Sequence, residues 1–172
     1  SNHNEWFYTL DYPNQEVKTA FSESLFLALT EGADRTISSH VLQLAGHLES
    51  EDFDALFETM TAIFASIPYT INAKRDEAYF HTIFYLMIAA SGVNADCEPL
   101  TSEGRIDLAV EFPDKVYLIE FKCNQSAKTA IQQIRNKRYA DRYRQSGKKM
   151  ILMGINFSTE QRNLSEWDVV AE

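Results

Sequence analysis

An apolar stretch of the sequence, GRIDLAVEFPDKVYLIEFKCNQS at residues 104–126, contains charged side chains that could do chemistry. Those side chains are Asp107, Glu120 and Lys122. Strand interiors normally avoid Asp, Glu and Lys. Two carboxylates close together repel each other, and Mg²⁺ or Mn²⁺ relieves the repulsion because such ions prefer carboxylate and water oxygens. The ion can polarise a phosphoryl group and acidify a bound water, and a nearby Lys can orient that water. These residue types therefore predict metal-assisted phosphodiester hydrolysis.

Hairpin geometry decides whether these side chains meet. Side chains alternate along a strand, so Glu120 and Lys122 share one face and Phe121 points to the other. A loop of two or four residues pairs Asp107 with Glu120, and Arg105 with Lys122, about 5 Å apart on one face. A loop with an odd number of residues would place Asp107 on the opposite face. The alternative without catalytic function is a solvated hairpin face that carries only a cross-strand salt bridge.

The surrounding pattern predicts the elements that hold this hairpin. Apolar residues at helical spacing predict helices across residues 18–68. The elements expected from residue 76 onward are a buried helix at 76–90, strands near 105–112 and 116–122, a helix at 127–144, a strand at 149–157 and an edge strand in the tail. This order predicts an α/β fold with a mixed sheet flanked by helices and an N-terminal helical portion. We expect a junction segment over residues 1–17, helices over 18–70 and the sheet-containing core over 71–172.

The composition is that of a globular protein in a reducing setting. The chain has 172 residues, 45% of them hydrophobic, which suits one domain or one domain with a small appendage. Its longest apolar run, residues 83–90, is too short to span a bilayer, and the N-terminus shows no secretory signal. The two cysteines lack metal-type spacing. A cytoplasmic location without membrane partners is therefore expected.

Charge is distributed unevenly along the chain. The net charge of −9 argues against a simple nucleic-acid binder. Residues 1–100 carry a net charge of −11, residues 101–150 carry +5 and residues 151–172 carry −3. The basic portion is the one that contains the charged hairpin, which favours a functional segment there. A helix with a solvated Lys/Arg face would produce the same pattern.

The motifs together resemble a known family. Gly104-Arg105-Ile106-Asp107-Leu108 followed by Ile119-Glu120-Phe121-Lys122 resembles the PD-(D/E)XK nuclease superfamily, whose site combines an Asp on one strand with an E-x-K on the next. The stretches YPNQEV, GRIDLAV, YLIEFK, AIQQIRNKRYAD and KKMILMGINFS resemble the nuclease-like domain attached to an AAA-type ATPase in bacterial proteins. This resemblance covers most of the chain. Ile106 stands where the family usually has Pro, and the chain contains no P-loop pattern.

The resemblance implies a metal site. Asp107 and Glu120 would bind Mg²⁺ or Mn²⁺, and the Phe121 carbonyl would complete the protein ligands. Glu77, on the preceding helix, would hold a metal-bound water or a second ion. Glu77 could instead be only a favourable acid in a first helical turn, and His81, one turn later, could simply hydrogen-bond to it.

The resemblance also implies catalytic helpers. Lys122 would position the attacking water, and Gln133 would steady the scissile phosphate or Lys122. Gln132 is the alternative to Gln133, since the helical angle places Gln132 on the face of Tyr139. Both glutamines could also be ordinary exposed helix residues.

The implied function is metal-dependent cleavage of nucleic acid, with DNA as the expected substrate. A basic stripe would hold the backbone with salt-dependent, sequence-poor affinity. The stripe consists of Arg135, Lys137, Arg138, Arg142 and Arg144. A competing hypothesis is a non-catalytic regulatory or interaction module of an ATPase that retains the fold. The overall acidity favours this module, whereas the complete set of acids with Lys favours the enzyme.

Overall fold

The computed structural model describes residues 12–30, 35–67, 76–101 and 104–172. The expected junction over residues 1–17 lies mostly outside the described residues, and α1 already begins at Gln15. No helix among the described residues is both long and apolar enough to cross a bilayer.

Four helices form the first half of the described chain. They are α1 (Gln15–Leu29), α2 (Arg35–Ser50), α3 (Phe53–Ser66) and α4 (Glu77–Ala90). The Asn14, Asp52 and Asp76 side chains cap α1, α3 and α4 by accepting hydrogen bonds from backbone N–H groups in the first turn. Helix α4 is buried along most of its length, as its apolar sequence predicts.

A five-stranded mixed sheet occupies the second half. Its strands are β1 (Asn94–Cys97), β4 (Leu108–Glu111), β5 (Lys115–Cys123), β6 (Lys149–Ser158) and β7 (Asn163–Ala171), in that spatial order. Strands β5 and β6 run parallel, and the other neighbours are antiparallel. Helix α5 (Ala127–Asn136) makes the connection between the two parallel strands. The predicted α/β fold, with a mixed sheet flanked by helices and an N-terminal helical portion, is confirmed.

Two apolar clusters cover the two faces of the sheet. The larger contains buried residues of α2, α3 and α4 together with Tyr117, Ile119 and Phe121 of β5. The smaller lies under α5 and contains Val116 and Leu118 of the same strand. Alternation along β5 therefore directs Glu120 and Lys122 to the α5 side of the sheet and Phe121 to the α4 side.

The predicted hairpin register is correct, but one of its strands is interrupted. Leu108 pairs with Ile119 and Glu111 with Val116, which is the register of an even loop. The expected continuous strand over 105–112 is wrong: β3 (Gly104–Arg105) and β4 are separate, and a bend at Asp107 lies between them. The bend occurs because β3 pairs with the short strand β2 (Leu100–Thr101) in a second, two-stranded sheet.

The pairing of Arg105 with Lys122 is therefore wrong. Arg105 lies opposite Leu100 in the two-stranded sheet, and its guanidinium is 2.7 Å from a Glu98 carboxylate oxygen. Strand β1, which pairs with β4, was not predicted. Its sequence NADC is short and has no apolar alternation to mark it.

The expected single helix over 127–144 is also wrong. Helix α5 ends at Asn136, Arg138 adopts a left-handed backbone conformation with φ of 50°, and two 3₁₀ turns follow at Tyr139–Arg142 and Arg144–Ser146. The reversal brings Tyr139, Ala140 and Tyr143 into the smaller apolar cluster. Burial of two tyrosines thus outweighs continuation of a helix whose next residues are charged.

Candidate metal centre

Glu120 and Lys122 form a buried ion pair on the α5 side of β5. Glu120 is 2% exposed and Lys122 is 8% exposed. The Lys122 Nζ donates to Glu120 Oε1 at 3.2 Å and to the Phe121 carbonyl oxygen at 2.7 Å. The ammonium group therefore bridges the side chain and the carbonyl that the resemblance assigns to the metal.

Helix α5 brings an amide to the same carboxylate. The Gln133 Nε2 donates a hydrogen bond to Glu120 Oε1. Gln132 is exposed on the neighbouring position of the helix. Tyr139 hydrogen-bonds to Gln133. The expectation that Gln132 shares the face of Tyr139 is therefore wrong, because the left-handed residue Arg138 turns the chain between α5 and Tyr139.

Asp107 reaches the site from the bend that precedes β4. Its Oδ2 accepts a hydrogen bond of 2.8 Å from the Phe121 backbone N–H. Because β4 begins only at Leu108, this backbone N–H has no partner in the β4–β5 ladder at that point, and the carboxylate takes that place. Asp107 also raises the pKa of Glu120 through its charge, so the two carboxylates interact electrostatically.

Burial dominates the acidity of Glu120. Loss of hydration raises its pKa from the ordinary value of 4.5 to about 7, and the negative charge of Asp107 adds to the rise. The Lys122 ammonium opposes both effects through its charge and its hydrogen bond, and the nearby Asp107 backbone N–H lowers the pKa further by a smaller amount. One carboxylate oxygen, Oε2, is buried and accepts no hydrogen bond, whereas Oε1 accepts two.

These groups suit a hard divalent cation. An unpartnered buried carboxylate oxygen normally costs about 1–3 kcal/mol or more, and an ion would satisfy it. Two carboxylates, from Asp107 and Glu120, and the Phe121 carbonyl are the oxygen ligands that Mg²⁺ prefers, with water completing its shell. The described residues include no cluster of three or more His, Cys, Asp or Glu side chains arranged to hold an ion. The fit therefore depends on two carboxylates and one carbonyl.

Glu77 is not brought together with these groups by any described contact. It is exposed in the first turn of α4. Burial raises the pKa of the Cys123 thiol, which lies on the opposite face of β5 from Glu120, and the charge of Glu77 adds to that rise. Its role through a bound water stays a prediction. His81, one turn further along α4, instead lies near Asp107: its Nε2 is 3.0 Å from the Asp107 carbonyl oxygen, and its ring packs 5.0 Å from Phe121.

The basic residues after α5 do not form one helical stripe. Only Arg135 lies on α5, Lys137 and Arg138 follow its end, and Arg142 and Arg144 lie on the 3₁₀ turns. All five are exposed. Some of their charge is balanced: Arg135 pairs with Glu172 at 3.1 Å, and Asp141 pairs with Arg138 at 2.6 Å and with Arg144 at 3.1 Å.

Two supporting residues had no clear signal in the sequence. His81 braces the Asp107 bend and Tyr139 braces Gln133. His81 appeared only as a neighbour of Glu77 on α4, and Tyr139 only as a residue beyond the glutamines. Their roles depend on the bend at Asp107 and on the end of α5, neither of which follows from hydrophobic periodicity.

Comparison with known proteins identifies the family. Residues 75–167 match the PD-(D/E)XK nuclease superfamily. The chain belongs to this superfamily. The matched region contains α4, the five-stranded sheet up to Trp167, and α5, so it contains every residue of the candidate metal centre. Nucleases of the superfamily generally use divalent metals, and membership implies a nuclease-like domain that binds nucleic acid.

A longer bacterial protein is similar over nearly the whole chain. It is described as "Uncharacterized protein in vnfD 5'region" of Azotobacter chroococcum mcd 1 and is 42% identical over 164 residues, covering 91% of this chain. The chain spans only 31% of the length of that relative. No solved structure matches the chain.

Proposed function

We propose that this protein hydrolyses phosphodiester bonds of nucleic acid with the help of Mg²⁺ or Mn²⁺, and that DNA is its substrate. The observation that carries the proposal is the buried carboxylate of Glu120, with one oxygen unpartnered, beside Lys122 and Asp107. A protein gains no stability from a carboxylate held this way, because its burial raises the pKa and leaves a polar atom unsatisfied. Such costs are typical of functional sites.

Separate groups of the protein would bind the ion and orient its ligands. Asp107 and Glu120 would hold the ion together with the Phe121 carbonyl. When bound, the ion would supply Lewis-acid polarisation of the scissile phosphate and acidify a water. Gln133 would keep Glu120 oriented through the hydrogen bond it donates, and it could then turn its amide toward the phosphate.

Lys122 would change partners on metal binding. Its ammonium donates to Glu120 Oε1 and to the Phe121 carbonyl. These are the two proposed metal ligands that lie on β5. When those oxygens hold the ion, the Lys122 ammonium would leave them, because like charges repel, and would donate instead to the attacking water or to a phosphate oxygen. Glu77, exposed in the first turn of α4, is proposed to hold a water bound to the same ion.

The exposed cations after α5 would contact the nucleic-acid backbone. They are Arg135, Lys137, Arg138, Arg142 and Arg144. Phosphates would replace the carboxylates of Glu172 and Asp141 as partners of three of them. Contacts of this kind give affinity without sequence preference and a strong dependence on salt.

The test is cleavage of supercoiled plasmid, linear duplex and single-stranded DNA, together with single-stranded RNA, in Mg²⁺, Mn²⁺ or EDTA. The wild type should cleave DNA only with metal, and Glu120→Ala should not cleave. Cleavage that continues in EDTA, or that survives Glu120→Ala, would contradict the proposed site. Cleavage of RNA alone would keep the mechanism and overturn the substrate.

The second candidate function is a non-catalytic module that regulates an attached ATPase. One observation favours it: more than two thirds of the similar Azotobacter protein lies outside the region that matches this chain, which leaves room for another domain. An ATPase partner in the same polypeptide fits either function. The module would retain metal binding at Glu120 but cleave none of the substrates with any metal.

A further inference from the structure

The sheet face opposite Glu120 carries an aromatic pair that remains open to solvent. Trp167 of β7 pairs across the sheet with Ile155, which belongs to the larger apolar cluster. Its indole stacks on Phe57 of α3 with ring centroids 4.4 Å apart and an angle of 10° between the planes. Phe57 is buried, but Trp167 is 37% exposed, so much of the indole faces water.

Open cavities lie on both sides of this indole. One, of about 480 Å³, lies between the start of α3 and β7 and is lined by Phe53, Trp167 and Val169 among others. The other, of about 550 Å³, lies along α3 and is lined by Phe57, Ala62 and Trp167 among others. Trp167 and Asp54 line both cavities, which together make one groove, the Trp167 groove, along the α3–β7 boundary.

The Trp167 groove carries only negative charge. Asp54 and Glu58 line it from α3, and neither a Lys nor an Arg lines either cavity. Within the described residues, these two carboxylates have no hydrogen-bond or ion-pair partner. Asp168 follows Trp167 on β7, but it pairs with Gly154, so its side chain faces the α5 side of the sheet. Glu51 at the end of the groove differs, because Lys115 and Lys149 bind it at 3.1 and 2.6 Å.

The strand beside the groove has a free edge. Within the described part of the chain, β7 is hydrogen-bonded only to β6. It is nine residues long, and its residues from Ser165 to Ala171 are exposed or half-buried. An unpaired edge of this length presents backbone N–H and C=O groups that can pair with another extended segment.

We propose that the Trp167 groove docks an extended protein segment rich in Lys and Arg, which lies along β7. Its cationic side chains would pair with Asp54 and Glu58, one would stack on the Trp167 indole, and its apolar stems would fill the cavities. A nucleic acid does not suit this surface, since its phosphates would meet carboxylates. The surface lies on the opposite sheet face from Glu120, so the proposal is independent of the proposed nuclease function.

The test uses a blocked, labelled nonapeptide that alternates Lys with Thr, one residue for each position of β7. Its binding to the whole protein is followed by fluorescence anisotropy at low and at physiological salt. A peptide with Glu in place of Lys, and spermine as a competitor, serve as controls. The test variant combines Asp54→Asn and Glu58→Gln, and the matched control combines Glu23→Gln and Glu160→Gln, which changes the net charge equally at exposed sites.

The proposal expects the Lys peptide to bind, the Glu peptide not to bind, and the affinity to fall at physiological salt. The groove variant should bind at least about fivefold more weakly, while the control variant stays within about twofold of the wild type. Trp167→Phe, which keeps an aromatic ring on Phe57, should also weaken binding. Equal losses of affinity in the two double variants would show that only net charge matters and would overturn the proposal. If spermine displaces the Lys peptide at an equal concentration of positive charge, the groove does not select an extended protein segment, and the proposal is overturned.

Discussion

Replacement of Glu120 by Gln should change how the stability of the protein depends on pH. Burial raises the pKa of Glu120 from 4.5 to about 7 in the folded state. The folded protein therefore holds a proton on Glu120 more tightly than the unfolded chain does, and its stability falls as pH rises from about 4.5 to 7. At about 1.4 kcal/mol per pKa unit, the full penalty is about 3 kcal/mol above pH 7. The amide introduced by Glu120→Gln has no proton to lose, so the variant should escape this fall.

The assay is urea unfolding in EDTA at several pH values across that window, with the free energy of unfolding of each variant compared with that of the wild type. Lys122 loses its carboxylate partner in Glu120→Gln, and we expect this loss to displace the whole stability curve by a constant amount. The stability difference between Glu120→Gln and the wild type should thus grow in favour of the variant by up to about 3 kcal/mol between pH 4.5 and 7. Glu160→Gln, at an exposed carboxyl, is the matched control and should follow the wild type.

Ionisation of Glu120 destabilises the protein, whereas Mg²⁺ bound to the ionised carboxylate should stabilise it. An ion bound to ionised Glu120 replaces the missing partner of Oε2, so millimolar Mg²⁺ should raise the melting temperature of the wild type at pH 8 and leave Glu120→Gln unmoved. The reasoning is refuted if the stability difference is flat across the pH window. It is also refuted if Mg²⁺ stabilises both proteins equally.

Three further changes test separate parts of the account. Gln133→Ala should reduce cleavage while leaving the melting temperature within a few degrees, since it removes one donor to Glu120 and one partner of Tyr139 and leaves the apolar core intact; equal cleavage would exclude a role for this amide. Gly154→Ala should destabilise the protein by more than about 2 kcal/mol in urea unfolding, because a Cβ at Gly154 would overlap the Ala127 carbonyl oxygen at the start of α5; an unchanged unfolding midpoint would contradict this packing. Joint replacement of Arg135, Arg138 and Arg142 by Gln should flatten the slope of log affinity for nucleic acid against log salt by up to roughly three units. The change should be smaller where an ion pair already neutralises the cation. An unchanged slope would mean that nucleic acid binds to another surface.

The sequence predicts the pairing of β4 with β5 because the side-chain period of two and a short turn leave few registers. It does not predict the bend at Asp107, since the pairing of β3 with β2 involves residues that carry no strand pattern of their own. The bend is what lets the Asp107 carboxylate reach the Phe121 backbone N–H. A strictly continuous strand would have kept that backbone group in the ladder.

The end of α5 shows the same limit. Local propensity favours continuing the helix past Asn136, and tertiary burial of Tyr139 and Tyr143 ends it. This choice decides which glutamine Tyr139 contacts, because Tyr139 hydrogen-bonds to Gln133 only after the chain reverses at Arg138. A helix that continued without interruption past Asn136 would place Gln132, and not Gln133, on the same face as Tyr139. Sequence periodicity thus predicts which elements exist, whereas competition for burial decides where they stop.

The most direct test of the central claim separates metal binding from turnover at Lys122. Lys122→Met keeps the packing of the aliphatic stem and removes the ammonium, which is a partner of Glu120 and not a metal ligand. Plasmid nicking and the Mg²⁺-dependent rise in melting temperature are measured on the same preparation of this variant and of the wild type. The account predicts that Lys122→Met retains the rise in melting temperature and loses nicking by at least about a hundredfold. Nicking at the wild-type rate by Lys122→Met would contradict it.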